Sequence, residues 1–159
     1  MAEHIIERKL TVKGSIGEVF EFFSNARNLE RITPPELNFH ILTPQPITIE
    51  KSTLIDYQLR LYGIPIKWRT KITTWDPPNV FVDTQLSGPY SQWIHTHRFK
   101  AIAPTETLIE DKVRYRLPLE PLGDILHFLV RRQLEYIFDF RGKEVAKIFG
   151  GAQTDQSPQ

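Results

Sequence analysis

Polar and apolar residues alternate with a period of two along most of residues 5–117, which predicts β-strands. In 64–75, for example, Trp68 and Ile72 alternate with Lys67 and Lys71, so one face should be buried and the other solvated. Short turns containing proline or glycine separate the alternating stretches, as in an antiparallel meander. The seven predicted strands are 5–13, 37–42, 54–62, 64–75, 80–86, 92–101 and 107–117.

Two regions break this alternation and predict helices. After the first strand, Ser15 and Glu18 form a capping-box pattern, so a short helix should begin there, and residues 25–32 predict a second. Residues 125–149 carry apolar residues at helical spacing, and Asp124 is expected to cap this long helix. The sequence therefore predicts an α+β fold, in which a curved antiparallel sheet of about seven strands wraps around the C-terminal helix.

The composition limits the classes of function. The chain has 159 residues and a net charge of +1, from 20 basic and 19 acidic side chains. This length predicts a single domain, assigned to residues 1–149, with a flexible tail at 150–159. The balanced charge gives no support for nucleic-acid binding, and the lack of cysteine excludes disulfides and thiolate metal sites. No stretch approaches ~18 consecutive apolar residues and no signal peptide is recognisable, so a soluble, cytoplasmic protein is expected.

Polar side chains lie on the face of two neighbouring strands that should point into the protein. In 92–101 one face is partly charged, and it should meet water because burying unpaired charge is costly. The opposite, inward line consists of Trp93, His95, His97 and Phe99. In the next strand Asp111 and Tyr115 share the inward phase. Large aromatics mixed with histidines and an acid are unusual in a plain core, so these residues suggest a lined cavity.

The predicted hairpins bring further residues towards the two histidines. A turn centred on Pro104 places His97 directly opposite Asp111, where side chains approach to ~5 Å. Arg8 shares the inward phase of the first strand and is expected to reach Asp111, since the first and last strands should be neighbours. The strand before the histidines has an inward line of Phe81, Asp83 and Gln85. The other expected cavity walls are Tyr57, Trp68, Trp93 and Tyr115.

Three runs of residues carry a resemblance to a known superfamily. They are Asp83-x-Gln85-x-x-Gly88-Pro89-Tyr90-x-x-Trp93-x-His95-x-His97-x-Phe99, then Asp111-x-Val113-x-Tyr115-x-x-Pro118 followed by Pro121-Leu122-Gly123, and Arg132-Gln133-Leu134-x-x-Ile137-Phe138-x-x-Arg141. These runs and the order of elements resemble a bacterial branch of the SRPBCC superfamily, also called START/Bet v 1-like. The resemblance covers nearly the whole chain and implies the helix-grip fold. It also implies a ligand-binding, polyketide cyclase/dehydrase-like protein, on a fold that hosts several functions.

Three interpretations of the inward polar set stay open. In the first, the histidines form a buried network with Asp83, Gln85 and Asp111 that fixes strand register. In the second, the cavity binds or carries a hydrophobic small molecule, such as a lipid, isoprenoid, pigment or polyketide. The residues expected to contact it are Arg8, Tyr57, Trp68, Phe81, Asp83, Gln85, Trp93, His95, His97, Phe99 and Tyr115. In the third, the protein is a cyclase or dehydratase in which His95 or His97 acts as a general base with Asp111 as its partner.

A non-enzymatic ligand-binding protein is the preferred interpretation, because the resemblance brings no chemistry that can be carried over. The sequence contains no Walker-type phosphate loop, no His-Glu-x-x-His and no Gly-x-Ser-x-Gly. His95 and His97, with Asp83 or Asp111, could supply two nitrogens and an oxygen to a metal ion. Histidine pairs on strands are common without metal, so neither a metal nor a cofactor is predicted. The oligomeric state is left open.

Overall fold

An antiparallel sheet forms most of the protein. Within residues 2–119 and 122–154, which the computed structural model describes, it contains eight strands. They are β1 (His4–Lys13), β2 (His40–Ile41), β3 (Leu54–Leu61), β4 (Ile64–Asp76), β5 (Val80–Ser87), β6 (Gln92–Ala103), β7 (Glu106–Arg116) and β8 (Gly151–Thr154). Their order is β2-β3-β4-β5-β6-β7-β1-β8, so β2 to β7 form a meander and β1 pairs with its last strand. The predicted α+β helix-grip architecture is confirmed.

The helices complete this architecture. They are α1 (Ile16–Phe23), α2 (Asn28–Arg31), a 3-10 helix (Pro35–Leu37), α3 (Leu122–Ile125) and α4 (His127–Phe149). As predicted, Ser15 caps α1, because its side-chain oxygen accepts a hydrogen bond from the backbone N–H of Glu18 at 3.3 Å. The buried residues of α4 recur at helical spacing and are Leu134, Phe138, Arg141, Gly142 and Val145. Among the helices of the described ranges, none combines the length and apolar character needed to cross a lipid bilayer.

Several element boundaries differ from the prediction, among them those of α2, β2 and α4. The predicted strand 37–42 is reduced to β2, because Pro35–Leu37 form a 3-10 helix and Asn38 adopts a left-handed φ of 45°. The long helix begins at His127, two residues later than predicted. Asp124 lies within α3, and the N-cap position of α4 that was predicted for it is occupied by Leu126.

The C-terminal end of the described chain forms a strand where a flexible tail was expected. After α4, β8 pairs antiparallel with β1, with Gly151 opposite Val12 and Thr154 opposite Lys9. A Cβ atom at Gly151 would lie 2.3 Å from the carbonyl oxygen of Thr11, so this close approach requires glycine. The strand therefore adds residues 151–154 to the sheet. The remainder of the expected tail, residues 155–159, lies outside the described residues.

The core consists of two apolar clusters that meet different parts of α4. The first contains Leu10, Val12, Val19, Phe20, Phe23, Ile32, Ile72, Phe81, Phe99, Ile109 and Val145. The second contains Ile6, Leu37, Leu59, Trp68, Trp93, Val113, Tyr115, Leu117, Leu134 and Phe138. Strands β1, β4, β6 and β7 and helix α4 contribute residues to both clusters. Each of these elements therefore passes from one cluster to the other. The inward residues at this transition lie at the same height along the sheet and α4.

Candidate functional site

A row of polar side chains separates the two apolar clusters. On β6, His95 and His97 lie between Trp93 of the second cluster and Phe99 of the first. At the same level the other elements carry Thr70, Asp83, Asp111 and Arg141. These six residues are called the polar belt below. All except the part-buried Asp83 are buried, so the belt is an internal feature of the protein.

Each histidine of the polar belt is held by a different carboxylate. The backbone register pairs His97 with Asp111, as predicted, and pairs His95 with Asp83. The shortest side-chain hydrogen bonds run diagonally: Nε2–H of His95 donates to Oδ1 of Asp111 at 2.8 Å, and Nε2–H of His97 donates to Oδ2 of Asp83 at 2.5 Å. The two imidazole rings stack with centroids 3.7 Å apart. Side chains of three adjacent strands thus form one network.

Arg141 brings a positive charge from α4 into this network. Its Nη2 lies 3.4 Å from Oδ1 of Asp111 and 3.3 Å from Nδ1 of His97. The guanidinium also lies over the ring of Phe23, 5.1 Å from its centroid. Sequence analysis did not identify Arg141 as a site residue. The available signal was an arginine within the apolar stripe of α4, since arginine is rarely buried unless it is paired.

Burial and neighbouring charges shift the histidine pKa values in opposite directions. Burial lowers the pKa of His95 to about 4, and a positive charge on His97 acts in the same direction. Burial also disfavours the charged form of His97, but hydrogen bonds with Asp111 and Asp83 outweigh burial and raise the pKa of His97. At neutral pH His95 is therefore expected to be neutral, and the carboxylates favour a proton on His97.

Both carboxylates of the polar belt are stabilised in their ionised form. Burial alone would raise the pKa of Asp111, but Arg141 and the two imidazoles hold it well below its ordinary value. Burial likewise opposes ionisation of Asp83, and the hydrogen bond from His97 reverses the effect, so the pKa of Asp83 is lowered. The belt thus contains two internal anions that depend on nearby cations.

The polar belt forms part of the wall of a cavity of about 170 Å³ between the sheet and α4. Every belt residue except Asp111 lines this cavity. The rest of the wall is mainly apolar, and its aromatic part includes Tyr57, Trp68, Phe81, Tyr90, Trp93 and Phe138. Tyr57 and Trp68 stack with an interplanar angle of 21°, and Trp93 meets Trp68 edge-on at 88°. The cavity therefore combines flat apolar surfaces with a localised group of charges.

The structure brings most of the predicted ligand-contacting residues together. The residues that line the cavity are Tyr57, Trp68, Phe81, Asp83, Trp93, His95 and His97. Phe99 and Tyr115 are instead packed inside the two apolar clusters and are not part of the cavity wall. Asp111 lies behind the imidazoles, so it can act on a cavity ligand only through other side chains.

Arg8 does not make the predicted contact with Asp111. The two residues are opposite each other in the backbone register of β1 and β7. The Nε–H of Arg8 nevertheless donates to Oδ1 of Asp139 on α4 at 3.1 Å, and Arg8 does not line the main cavity. The guanidinium that reaches Asp111 belongs to Arg141. The prediction was wrong because the strand register places only the backbone of Arg8 beside Asp111. The side chain of Arg8 instead contacts α4, which the register does not describe.

Gln85 makes a structural contact instead of the predicted contacts with the histidines and the ligand. Its Nε2–H donates to the carbonyl oxygen of Tyr90 at 2.7 Å, and its Oε1 accepts from the backbone N–H of Tyr90 at 3.2 Å. A Cβ atom at Gly88 would lie 2.6 Å from Oε1 of Gln85, so glycine makes room for the side chain. Gln85 therefore closes the turn between β5 and β6.

Replacing Gln85 by alanine is expected to lower the free energy of unfolding by about 1–3 kcal/mol, because two hydrogen bonds of roughly 0.5–1.5 kcal/mol each are lost. Urea unfolding followed by circular dichroism measures this change. Gln58→Ala is the matched control, since Gln58 lies in β3 between the inward residues Tyr57 and Leu59, and its effect should stay within about 0.5 kcal/mol. Equal losses in the two variants would contradict the role of Gln85 in the turn.

The fold and the cavity define the class of protein, which is an α+β domain with the helix-grip fold. No protein-family model matches the sequence, and no curated protein matches it. Solved structures, in contrast, match it over nearly its whole length. The resemblance seen in the sequence is therefore confirmed for the fold.

Three solved structures illustrate this likeness. A START superfamily protein from Mycobacterium smegmatis aligns with a TM-score of 0.68 and 14% identity, over 91% of this chain and 99% of that chain. The Zhui aromatase/cyclase from a Streptomyces species aligns with a TM-score of 0.67 and 14% identity, over 94% and 98%. Norcoclaurine synthase from Thalictrum flavum, in complex with dopamine and hydroxybenzaldehyde, aligns with a TM-score of 0.64 and 16% identity, over 92% and 88%. At these identities the likeness establishes the fold alone.

Proposed function

We propose that the protein binds a small hydrophobic molecule in the cavity between the sheet and α4, with the polar end of the molecule against the polar belt. The observation that supports this function is the wall of the cavity, which is mainly apolar and aromatic and carries charged groups at one level. Sites for small molecules typically combine apolar walls with a few polar groups that fix the orientation of the ligand.

The volume of the cavity favours a ligand built on a single ring. At about 170 Å³, the cavity is close in size to an engineered cavity of ~150 Å³ in another protein, which binds benzene. A long lipid or isoprenoid chain would require the cavity to widen. Dopamine and hydroxybenzaldehyde, which are bound in the norcoclaurine synthase structure, each contain one aromatic ring and are suitable probes.

A cyclase or dehydratase is the alternative, and the geometry supports it less well. Both ring nitrogens of His97 have partners within the polar belt. Nδ1 of His95 makes only a 3.8 Å contact with Asp83, so His95 is the imidazole that could accept a proton from a bound molecule. A pKa of about 4 makes His95 a weak base near neutral pH, where general bases work best with a pKa near that of the solution.

Native mass spectrometry of the freshly purified protein, together with titration of single-ring compounds, tests the proposal. Trp68 and Trp93 line the cavity, so binding of hydroxybenzaldehyde should change the intrinsic fluorescence, whereas palmitate should compete poorly. A co-purified long-chain lipid, or fluorescence that no single-ring compound changes, would contradict the proposed ligand class. Turnover of a bound compound that His95→Gln abolishes without loss of affinity would establish the enzymatic alternative.

Filling the cavity is expected to separate binding from stability. Ala26 is buried in the cavity wall, so Ala26→Leu places additional methyl groups in the empty space. The affinity for hydroxybenzaldehyde should fall at least tenfold, or about 1.4 kcal/mol. The free energy of unfolding should stay equal or rise by about 0.5–2 kcal/mol, as is common when a cavity is filled. Isothermal titration calorimetry and urea unfolding measure the two quantities.

Ala101→Leu is the matched control for this experiment. Ala101 is exposed on β6 and does not line the cavity, so the same substitution there should change neither affinity nor stability appreciably. Unchanged affinity in Ala26→Leu would show that the ligand binds elsewhere.

A further inference from the structure

Donor atoms of three polar-belt side chains converge at the wall of the cavity. Asp83, His95 and His97 each offer one ligand atom, and these three atoms lie within 4.8 Å of one another. Oδ2 of Asp83 is 2.5 Å from Nε2 of His97 and 3.8 Å from Nδ1 of His95. All three residues line the cavity, so the point between the donors is next to the open space.

The two separations between the carboxylate and the imidazoles are close to those around a tetrahedral metal ion, and the two imidazole nitrogens lie within 4.8 Å of each other. Bonds of 2.0–2.1 Å to nitrogen and oxygen place neighbouring donor atoms about 3.3 Å apart around such an ion. One of the two measured separations would have to lengthen and the other to shorten, each by less than 1 Å. Rotation of the Asp83 carboxylate away from His97 towards His95 changes both separations in the required directions. Two imidazoles and one carboxylate also form the donor set of several catalytic zinc and non-haem iron sites.

In each imidazole, the ring nitrogen that would not bind the metal lies near the carboxylate of Asp111. Nε2–H of His95 donates to Oδ1 of Asp111 at 2.8 Å, which leaves Nδ1 of His95 as the lone-pair nitrogen. Nε2 of His97 donates its proton to Asp83 in the metal-free site, so a metal ion would have to displace that proton. Nδ1 of His97 lies 3.4 Å from the same Asp111 oxygen, which can then hold a proton on Nδ1. Metal-binding histidines generally donate their second N–H to a carboxylate or carbonyl group, which fixes the tautomer and the ring orientation. Asp111 occupies this position for both rings.

We propose that Asp83, His95 and His97 bind a divalent transition-metal ion such as Zn²⁺, with Asp111 orienting both imidazoles and a further coordination position open to the cavity. The positive charge of Arg141 affects which charge is favourable on the ligand that completes the coordination. Asp83, Asp111 and Arg141 together carry one net negative charge, so a divalent ion brings the site to one net positive charge. A ligand with one negative oxygen, such as a phenolate or carboxylate, then neutralises the site. The proposal goes beyond binding of a hydrophobic molecule, because the ion should bind with or without that molecule.

Titration of the metal-free protein tests this proposal. The protein is treated with EDTA, dialysed, and titrated with Zn²⁺ by calorimetry and with Co²⁺ by visible absorption. One equivalent of each ion should bind, and Co²⁺ should show the intense visible bands of a low-coordinate site. Asp83→Asn and His95→Gln should weaken binding of Zn²⁺ more than 100-fold, and Asp111→Asn by about 10–100-fold, as expected for the loss of an outer-sphere partner. His40→Gln, at an exposed position on β2, should leave the affinity unchanged.

Circular dichroism first establishes that each variant is folded. Asp83→Asn is nearly isosteric, so it keeps the test valid if His95→Gln does not fold. Absence of stoichiometric Zn²⁺ binding by the wild-type protein would overturn the proposal, and so would wild-type affinity in folded Asp83→Asn. Titration of hydroxybenzaldehyde in the presence of EDTA distinguishes the two proposals: ring binding without metal binding leaves the proposed function intact and rejects the metal site.

Discussion

Replacing Asp111 by alanine is expected to lower the free energy of unfolding by about 3–5 kcal/mol, which is the usual cost of removing one partner of a buried ion pair. The carboxylate lies 2.8 Å from Nε2 of His95 and 3.4 Å from Nη2 of Arg141. Without it the buried guanidinium has no carboxylate at hydrogen-bonding distance among the described contacts, and His95 loses its acceptor. Urea unfolding at neutral pH measures the loss.

Two further variants show whether the loss arises from the uncompensated charge. Asp111→Ala combined with Arg141→Leu should recover part of the stability, because the unpaired guanidinium is removed with its partner. Asp56→Ala is the matched control, since Asp56 forms an exposed ion pair with Arg69 at 2.8 Å and should contribute about 1 kcal/mol or less. If Asp111→Ala were no more costly than Asp56→Ala, the polar belt would not depend on internal ion pairing.

Replacing Phe138 by alanine is expected to destabilise the protein by about 3–5 kcal/mol, the range for a buried aromatic residue truncated to alanine. Phe138 is 6% exposed, belongs to the second apolar cluster and lies edge-on to the ring of His95, with centroids 5.5 Å apart. Because it also lines the cavity, its removal should enlarge the ligand space. Two-ring compounds such as naphthol should therefore gain affinity relative to single-ring compounds.

The control for this prediction lies on the same helix. Phe128 is 61% exposed, so Phe128→Ala should change the stability by no more than about 0.5 kcal/mol and leave ligand preference unaltered. Unfolding curves and competition titrations with the two ligand classes measure both effects. A stable Phe138→Ala variant with unchanged ligand preference would show that α4 does not form part of the binding wall.

The internal position of the two histidines could be predicted from the sequence because strand alternation is local. Residues at i and i+2 share a face of a strand, so the charged residues opposite them were sufficient to indicate which face is buried. Trp93, His95, His97 and Phe99 are all buried, as that pattern predicts. The same local reasoning predicted the Ser15 cap of α1.

The partners of these side chains could not be predicted in the same way. The backbone pairing of His97 with Asp111 was predicted correctly. The shortest side-chain contact of His97 is nevertheless with Asp83 on the strand at its other side, and its ring stacks on that of His95. Gln85 and Arg8 were assigned to inward faces by strand alternation. Gln85 nevertheless bonds to Tyr90 in a turn, and Arg8 bonds to Asp139 on α4. Phase indicates the face of a residue, whereas its contacts depend on rotamers and on elements that are distant in sequence.

The order of the main strands and helices, the α+β class and the inward faces of the strands could be read from the sequence, because these depend on periodicities within short segments. The convergence of polar residues from four strands and one helix at a single level, with a cavity beside them, depends instead on how the elements pack in three dimensions. Arg141 shows the reason most clearly: it is 30 residues from Asp111 in the chain, and only the packing of α4 on the sheet brings the two side chains within 3.4 Å. Such a charge arrangement is a property of packed elements and leaves no local pattern in the chain.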